Sequence, residues 1–324
     1  MAGAKIEPAS SDASFRRYFR VQANGKTAIA MDAPPVQEDC RPFLRIADYL
    51  HRMGLNSPGI FQADLDLGFL LMSDLGSTSY LEVLQRTPGR AAPLYGDATE
   101  ALLTLQEGGR RFQSQLPSYD ETLLRLEMSL FRDWLCTRYL DTGFSQNEEA
   151  AWRSLEDLLV ENALQQPQVF VHRDYHSRNL MVTGERNPGI LDFQDAVEGP
   201  MTYDLVSLLK DCYIRWPLAD VRARAVAFNA AAADRGLPTV RPEQFLQSFE
   251  LMGVQRHLKA AGIFARLKIR DGKPSYLQDV PRTLEHIVDI AGDYDELAFL
   301  GRFIRERCLP ALHERLQQER QNRS

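Results

Sequence analysis

The chain has 324 residues, enough for two domains and for a large apolar core that needs no disulfides. Hydrophobic residues make up 44% of it and charged residues 25%, as in an ordinary globular protein. The net charge of −6 argues against nucleic-acid binding, which uses basic surfaces. We therefore expect no nucleic-acid partner.

Cysteine spacing and the lack of long apolar runs exclude further classes. The four cysteines, at positions 40, 136, 212 and 308, are too widely spaced for a disulfide scaffold or a structural zinc site. The first five residues contain no apolar segment of a signal peptide, and no apolar run reaches the roughly 18 residues of a membrane span. We expect a cytoplasmic protein with no membrane partner and no obligate protein partner.

The first 75 residues predict a small β-rich region with one helix. Arg16–Gln22 and Thr27–Asp32 read as strands on either side of Asn24-Gly25, a dipeptide that favours a type I′ hairpin turn. Apolar residues at helical spacing predict a helix over Pro42–Met53. Two more strands are predicted after it: Gly59–Ala63 and Phe69–Met72.

After residue 76 the patterns become helical, with one strand-and-loop region over residues 169–199. Five long helices are predicted: Leu94–Gln106, Thr122–Leu140, Glu148–Leu164, Asp220–Asp234 and Pro242–Lys268. The sequence thus predicts an α+β protein with two lobes, a small β-rich lobe over 1–75 and a larger, mainly helical lobe over 76–324.

One motif carries most of the chemical information. His172-Arg-Asp174 is followed by Asn179 between apolar strand residues, and a second apolar strand ends in Asp192-Phe193. Phosphoryl transfer needs a carboxylate to orient and deprotonate the acceptor hydroxyl, and oxygen ligands for a Mg²⁺ ion that bridges nucleotide phosphates. Asp174, Asn179 and Asp192 supply these groups. The alternative is that they form turn hydrogen bonds and cap a strand; His172 is expected to be structural, pairing with backbone near Asp192.

These segments resemble the catalytic loop and metal-binding motif of the aminoglycoside-phosphotransferase-like kinases. The resemblance implies a protein-kinase-like bilobal fold, use of ATP and Mg²⁺, Asp174 as the catalytic base, and Asn179 and Asp192 as Mg²⁺ ligands. It covers essentially the whole chain, with the lobes in the expected order. It also implies that the N-lobe covers the nucleotide and that the C-lobe carries the catalytic loop and the acceptor-binding helices.

The same resemblance points to nucleotide-binding residues. A loop with small and hydroxyl residues stands where the family covers the phosphates, and it includes Ser11, Ala13, Ser14 and Phe15. A solvated hairpin turn explains that loop equally well. The segment 70–75 is similar to the family's hinge, where Met72 would line the adenine pocket and backbone groups of Ser73 and Leu75 would bind the base.

One departure from the family concerns the strand lysine that pairs with the nucleotide phosphates. The corresponding strand, Thr27–Asp32, has no lysine. Arg16, Arg17 or Lys26 is a candidate to replace it. The departure keeps open a second class of function, that of a catalytically inactive nucleotide-binding protein that acts through a partner.

A narrower resemblance concerns the acceptor. The stretches 11–20, 31–35 and 172–179, together with 191–196 and 199–205, look like the anomeric kinases that act on N-acetylmuramate and N-acetylglucosamine in bacterial cell-wall recycling. This implies a small sugar substrate phosphorylated at C1 to the α-1-phosphate, which is then used towards UDP-N-acetylmuramate. A kinase of the same fold for another hydroxylated metabolite, including an aminoglycoside, stays open.

The acceptor-binding candidates follow from charge and position. N-acetylmuramate carries a carboxylate and needs a cation, whereas a polycationic aminoglycoside needs an acidic cleft. Arg178, Arg215 and Arg256 are candidates for that cation, although solvated helix charges explain most such residues. Gln194 and Asp195 follow Asp192 directly and are candidates to hold sugar hydroxyls.

Overall fold

The computed structural model of the chain describes residues 4–11 and 15–321, without the side chains of Ser10 and Ser11. These residues divide into two compact units. The first unit comprises the residues up to Pro117 together with Phe170–Val197. The second unit comprises Ser118–Val169 together with the residues from Glu198 onwards. Each unit is treated by itself below.

The first unit contains an antiparallel sheet, five-stranded in the described residues, with the order β1-β2-β3-β5-β4. Asn24 and Gly25 have φ angles of 54° and 72° between β2 and β3, as a type I′ turn requires. Gly68 has a positive φ of 75°, which favours glycine, and a side chain there would also clash with the carbonyl oxygen of Ala33. The strands are β1 Lys5–Ser11, β2 Arg17–Ala23, β3 Lys26–Asp32, β4 Ile60–Asp64 and β5 Phe69–Ser73.

Helix α1 spans Arg41–Arg52 between β3 and β4 and has Pro42 in its first turn, where the missing N–H has no partner within the helix to lose. Its apolar residues recur at helical spacing, so Phe43, Ile46 and Leu50 are buried together. The first unit continues through two helices and two short strands: α2 Tyr80–Arg86, α3 Ala91–Gly109, β7 Leu180–Met181 and β8 Gly189–Ile190.

Two strands, β6 Gln168–Val171 and β9 Val197–Pro200, contain the points at which the chain passes from one unit to the other. The second unit is helical. Its longest helix in the described residues, the 30-residue α8 (Pro242–Asp271), lies close to the end of α4 (Glu121–Leu130). A side chain at Gly262 would clash with the backbone of Leu130. Its helices are α4 Glu121–Leu130, α5 Gln146–Gln165, α6 Tyr203–Leu209, α7 Leu218–Asp234, α8 Pro242–Asp271, α9 Val280–Val288, α10 Ala298–Phe303 and α11 Leu309–Gln321.

The structure confirms the predicted α+β architecture with a small β-rich part and a larger helical part. The sheet ends at Ser73 and the next helix begins at Tyr80, so the change in secondary structure lies where the sequence placed it. The compact units divide the chain elsewhere, since α2, α3 and the segment Phe170–Val197 belong with the sheet. The functional lobes 1–75 and 76–324 stay a prediction.

One predicted helix differs in detail. Thr122–Leu140 was expected to be a single helix, but α4 ends at Leu130 and residues Phe131–Leu140 continue it as a π-helix. The apolar pattern did not distinguish these, because the buried residues of this segment are spaced as either helix allows: Phe131, Leu135, Cys136, Tyr139 and Leu140. Within 4–11 and 15–321, no helix is long and apolar enough to cross a membrane.

Candidate active site

The loop after β6 is folded by its own backbone. The amide of Asp174 donates to His172 Nδ1 at 3.2 Å, and the Asp174 carbonyl accepts from the amide of His176 at 3.0 Å. The amide of Asn179 then donates to the carbonyl of His176 at 2.9 Å. Arg173 takes a φ of 76°, a left-handed conformation that costs energy for a residue with a side chain. The loop is therefore held in one shape at Asp174.

Asn179 joins the two predicted motifs. Its Nδ2 donates to the carbonyl oxygen of Asp174 at 3.0 Å and to Oδ2 of Asp192 at 3.2 Å. Its own carbonyl accepts from the amide of Leu191 at 2.9 Å. Both amide hydrogens of the side chain are thus used, and Oδ1 is the end left to bind a cation. The structure brings Asp174, Asn179 and Asp192 together as predicted.

Asp192 also adopts a left-handed backbone conformation, with a φ of 63°. Two neighbours hold it: the ring of Phe193 packs on Phe43 of α1 with 4.7 Å between centroids, and Gln194 Nε2 donates to Asp192 Oδ1 at 2.8 Å. The hydrogen bond from Gln194 orients the carboxylate of Asp192, and the predicted contact of Gln194 with sugar stays a prediction. Strain of this kind persists where the surroundings enforce it, which is common at functional sites.

His172 is fully buried beneath the loop. Burial lowers its pKa to about 4, against the opposing effects of Asp174 and of hydrogen bonding to the backbone of Leu191. The neutral His172 ring accepts a hydrogen bond from the Asp174 amide and hydrogen-bonds to the backbone of Leu191. It therefore links the loop to the segment that leads to Asp192. The expectation that His172 is structural agrees with this position.

Neighbouring segments of the first unit hold the loop from outside. The buried Tyr175 hydroxyl donates to the carbonyl of Ala98 in α3 at 2.8 Å. The carbonyl of Ser177 accepts from the amide of Leu81 in α2 at 2.9 Å. Because each contact comes from a different helix, the loop is supported along its length.

The predicted hinge lies in the same unit. Met72 is buried, and Leu75 packs against Gly189 of β8, where a side chain would lie 3.0 Å from the Leu75 Cδ1 atom. The amide of Ser73 donates to the carbonyl of Gly59 at 2.8 Å, so the proposed adenine contacts must use other backbone groups of Ser73 and Leu75.

The predicted phosphate-covering loop is only partly described. Ala13, Ser14 and the side chain of Ser11 lie outside the described residues. Phe15, which ends this loop, is 62% exposed, and its amide donates to Glu38 Oε1 at 3.1 Å.

An ion pair that the sequence did not reveal fixes the hinge to the sheet. Arg20 of β2 donates to both carboxylate oxygens of Asp74, at 2.7 and 3.0 Å, and to the carbonyl of Gly76 at 2.9 Å. Burial acts to raise the pKa of Asp74, but hydrogen bonds from Arg20, the Gly76 amide and Thr27 lower it overall. The pair therefore holds the segment that follows Ser73.

The remaining acceptor candidates lie in different surroundings. Arg178 and Asp195 are exposed in the first unit. Arg215, in the second unit, forms ion pairs with Glu285 at 3.0 Å and Asp289 at 2.5 Å, and these two carboxylates partly neutralise its charge.

Arg256 is buried on α8 and donates to the Cys212 sulfur at 3.6 Å. Arg282 donates to the carbonyl of Cys212 at 3.1 Å, so two guanidinium groups meet at this residue of the second unit. The acceptor roles of Arg178, Asp195, Arg215 and Arg256 stay predictions.

The donor set of the site fits Mg²⁺. That ion needs only one or two protein ligands when phosphate oxygens and water complete its octahedron. Asn179 Oδ1 and the Asp192 carboxylate offer an amide oxygen and an anionic oxygen on two side chains that are in hydrogen-bond contact through Asn179 Nδ2. Among the described residues there is no cluster of three or more His, Cys, Asp or Glu side chains arranged to hold a metal by themselves. The arrangement suits a metal that arrives with a phosphorylated ligand.

Comparison with known proteins gives consistent results. The profile of the phosphotransferase enzyme family matches residues 5–243. The chain is 49% identical over 302 residues to the N-acetylmuramate/N-acetylglucosamine kinase of Pseudomonas aeruginosa, covering 93% of this chain and 88% of that protein. It is 48% identical over 302 residues to the protein of the same name from Pseudomonas putida, with the same coverage.

Among solved structures, the ADP-bound aminoglycoside phosphotransferase APH(2'')-Ib matches with a TM-score of 0.57. The match covers 88% of this chain and 93% of that chain at 15% sequence identity. At such identity the likeness concerns the fold alone.

Proposed function

Since the chain belongs to the phosphotransferase enzyme family, we propose that it transfers the γ-phosphoryl group of ATP to the anomeric hydroxyl of N-acetylmuramate and N-acetylglucosamine. The observation that carries this proposal is the Asn179 side chain, whose Nδ2 joins the Asp174 carbonyl to the Asp192 carboxylate. The names of the Pseudomonas relatives support the choice of acceptor. The product would be the α-1-phosphate used in peptidoglycan recycling.

Asp174 is proposed as the catalytic base. Its carboxylate accepts a hydrogen bond from the acceptor hydroxyl and takes the proton as the oxygen bonds to the γ-phosphorus and the bond to the β–γ bridging oxygen breaks. An anomeric hydroxyl is more acidic than the other ring hydroxyls because the ring oxygen withdraws electron density. Positioning therefore supplies most of the required catalysis. The ordered loop at Asp174 gives that positioning.

Asn179 and Asp192 are proposed to hold Mg²⁺ through Oδ1 and the carboxylate. The ion supplies positive charge to the phosphate oxygens as charge develops on the leaving ADP. Gln194 fixes the Asp192 carboxylate through its hydrogen bond, and Phe193 on Phe43 fixes the backbone. Outer groups of this kind set the orientation of the ligand that touches the metal.

Nucleotide and sugar are assigned to the remaining predicted residues. Met72, with backbone groups of Ser73 and Leu75, is proposed to bind adenine, and the loop from Ser11 to Phe15 to cover the phosphates. Arg178, Arg215 and Arg256 are the proposed cations for the lactyl carboxylate of N-acetylmuramate. Because the reaction consumes ATP, we place the protein in the cytoplasm.

A coupled ADP-release assay with Mg²⁺ and a panel of acceptors tests the proposal. We expect turnover with N-acetylmuramate and N-acetylglucosamine, and at least about 100-fold lower kcat/KM with an aminoglycoside or with a sugar methylated at the anomeric oxygen. Preference for the aminoglycoside would favour a kinase of the same fold with another acceptor. Nucleotide binding without ADP release for any acceptor would instead indicate an inactive binding protein.

A further inference from the structure

Arg16 lies immediately before β2 and is unusually well buried for an arginine. Its side chain is only 9% exposed, and Nη2 lies 3.0 Å from Oε2 of Glu38, which is itself 13% exposed. Desolvating a charge is costly unless other charged or polar groups compensate it. Such a guanidinium is held in one place before any ligand binds.

Glu38 fixes more than the guanidinium. Its other oxygen, Oε1, accepts from the amide of Phe15 at 3.1 Å. One carboxylate therefore holds both the end of the predicted phosphate-covering loop and the side chain of the next residue, Arg16. Because Glu38 precedes α1, this clamp also ties the loop to the helix on which Phe193 packs.

Negative charges of the proposed metal site act on Arg16. Burial acts to lower its pKa, yet the net pKa is raised. The groups that raise it are Tyr18, Glu38, Asp195 and Asp192. Without Arg16, Glu38 and Asp192 would lose a neighbouring positive charge, which would disfavour a nucleotide that stays negative even as its magnesium complex.

The other two candidate cations lie elsewhere. Arg17 is the first residue of β2 and follows Arg16 directly. It is 66% exposed and pairs with Asp32. Lys26 is exposed at the β2–β3 turn, the end of β3 away from Met31.

We propose that Arg16 binds the β- and γ-phosphate oxygens of the nucleotide and that Glu38 positions it, in place of a lysine on β3. This inference rests on the proposed use of ATP. A guanidinium offers a planar fork of donors to phosphate oxygens, so an arginine just before β2 can serve where β3 has no lysine beyond its exposed first residue, Lys26.

The test measures binding by calorimetry, using Mg²⁺–ATP and adenosine as separate ligands with the full chain. Arg16→Gln is expected to weaken Mg²⁺–ATP binding about 10- to 100-fold, as for the loss of hydrogen bonds to a charged group. Adenosine affinity should change less than about twofold. Arg16→Lys keeps the charge without the fork and should fall between wild type and Arg16→Gln. Arg17→Gln is the matched control and should bind both ligands as wild type does.

Each outcome is decisive. Equal Mg²⁺–ATP affinity in Arg16→Gln and Arg17→Gln overturns the inference, and so does an equal loss of ATP and adenosine binding in Arg16→Gln. Should Arg16→Gln lose its near-UV circular dichroism, Arg16→Lys decides: unchanged ATP affinity in that variant overturns the assignment. A wild-type chain that does not bind Mg²⁺–ATP at all removes the proposed function itself, whatever the variants do.

Discussion

Nδ2 of Asn179 lies 3.2 Å from Oδ2 of Asp192, thirteen residues further along the chain, and the same nitrogen lies 3.0 Å from the Asp174 carbonyl. This one amide group connects the loop that carries the proposed base to the strand that carries the proposed metal ligand. The geometry leads to predictions about the chemistry and about the supporting contacts.

Asp174→Asn is expected to lower kcat by about 10²- to 10⁴-fold, because an amide cannot take the proton of the acceptor hydroxyl. Mg²⁺–ATP binding should stay within about twofold, since the Asp174 backbone contacts to Asn179 and His172 are kept. Steady-state kinetics and calorimetry measure the two effects. Asp48→Asn, at an exposed position on α1, is the control. A turnover number close to wild type in Asp174→Asn would remove the base assignment.

Gln194→Ala is expected to raise the Mg²⁺ concentration needed for half-maximal activity by about 10- to 100-fold, because Asp192 loses the donor that orients its Oδ1. A titration of activity with Mg²⁺ at saturating sugar measures this change. Gln165→Ala, at an exposed position on α5, should leave the titration unchanged. If Gln194 instead binds sugar, as first expected, its substitution will raise the sugar KM and leave the Mg²⁺ requirement where it was.

Arg20→Met should destabilise the protein by about 2 kcal/mol, because it leaves the Asp74 carboxylate, 6% exposed, without its bidentate partner. Arg17→Met removes the exposed Arg17–Asp32 pair and should cost less than about 0.5 kcal/mol. Urea unfolding of both variants measures the difference.

The pH dependence of the same pair has a definite sign. The lowered pKa of Asp74 means that the folded state favours the ionised carboxyl more than the unfolded state does. The stabilisation is present above the ordinary Asp pKa near 3.8 and is lost as the pH falls through the lower folded-state pKa.

Equal unfolding free energies for Arg20→Met and Arg17→Met would contradict the stability prediction, because the Arg20–Asp74 pair would then stabilise the fold no more than the Arg17–Asp32 pair does.

The buried neutral His172 predicts a loss of stability in mild acid. Its pKa is about 4 in the folded protein and near 6.5 in the unfolded chain, so the unfolded state takes up a proton first as the pH falls. The penalty begins below about pH 6.5, reaches about 2 kcal/mol at pH 5 and levels off near 3 kcal/mol below pH 4.

Replacement of His172 by Gln should remove this share of the pH dependence, although it lowers stability at neutral pH. Urea unfolding at several pH values between about 8 and 5 measures the slope for wild type and variant. His313→Gln, at an exposed position on α11, should keep the wild-type slope. The same slope in His172→Gln and wild type would mean that folding does not shift the pKa of His172.

Local patterns predicted much of the architecture. The Asn24-Gly25 hairpin, α1 and the strands around it lie within a residue or two of their predicted bounds, because turn chemistry and apolar spacing act over short distances. The sequence also predicted that Asp174, Asn179 and Asp192 lie close together, because the three belong to one short motif. Asp174 and Asn179 lie between β6 and β7, and Asp192 follows β8.

The sequence did not predict contacts between segments that lie far apart along the chain. The Arg20–Asp74 pair joins residues 54 positions apart, and nothing in either segment marks the other as its partner. The sequence made Arg16 and Arg17 equal candidates, whereas the structure buries Arg16 beside Glu38 and leaves Arg17 66% exposed beside Asp32. The sequence placed Gln194 two residues after Asp192 but did not reveal the hydrogen bond between their side chains.

Phosphorus-31 NMR of the products tests the central assignment most directly. The wild-type chain is incubated with Mg²⁺–ATP and N-acetylglucosamine carrying ¹³C at C1, and the coupling of phosphorus to that carbon is measured. We predict a new phosphomonoester resonance with two-bond coupling to C1 in the α configuration, formed at least about 100-fold more slowly by Asp174→Asn. A phosphomonoester without that coupling, or formation of the product by Asp174→Asn at the wild-type rate, would contradict the account.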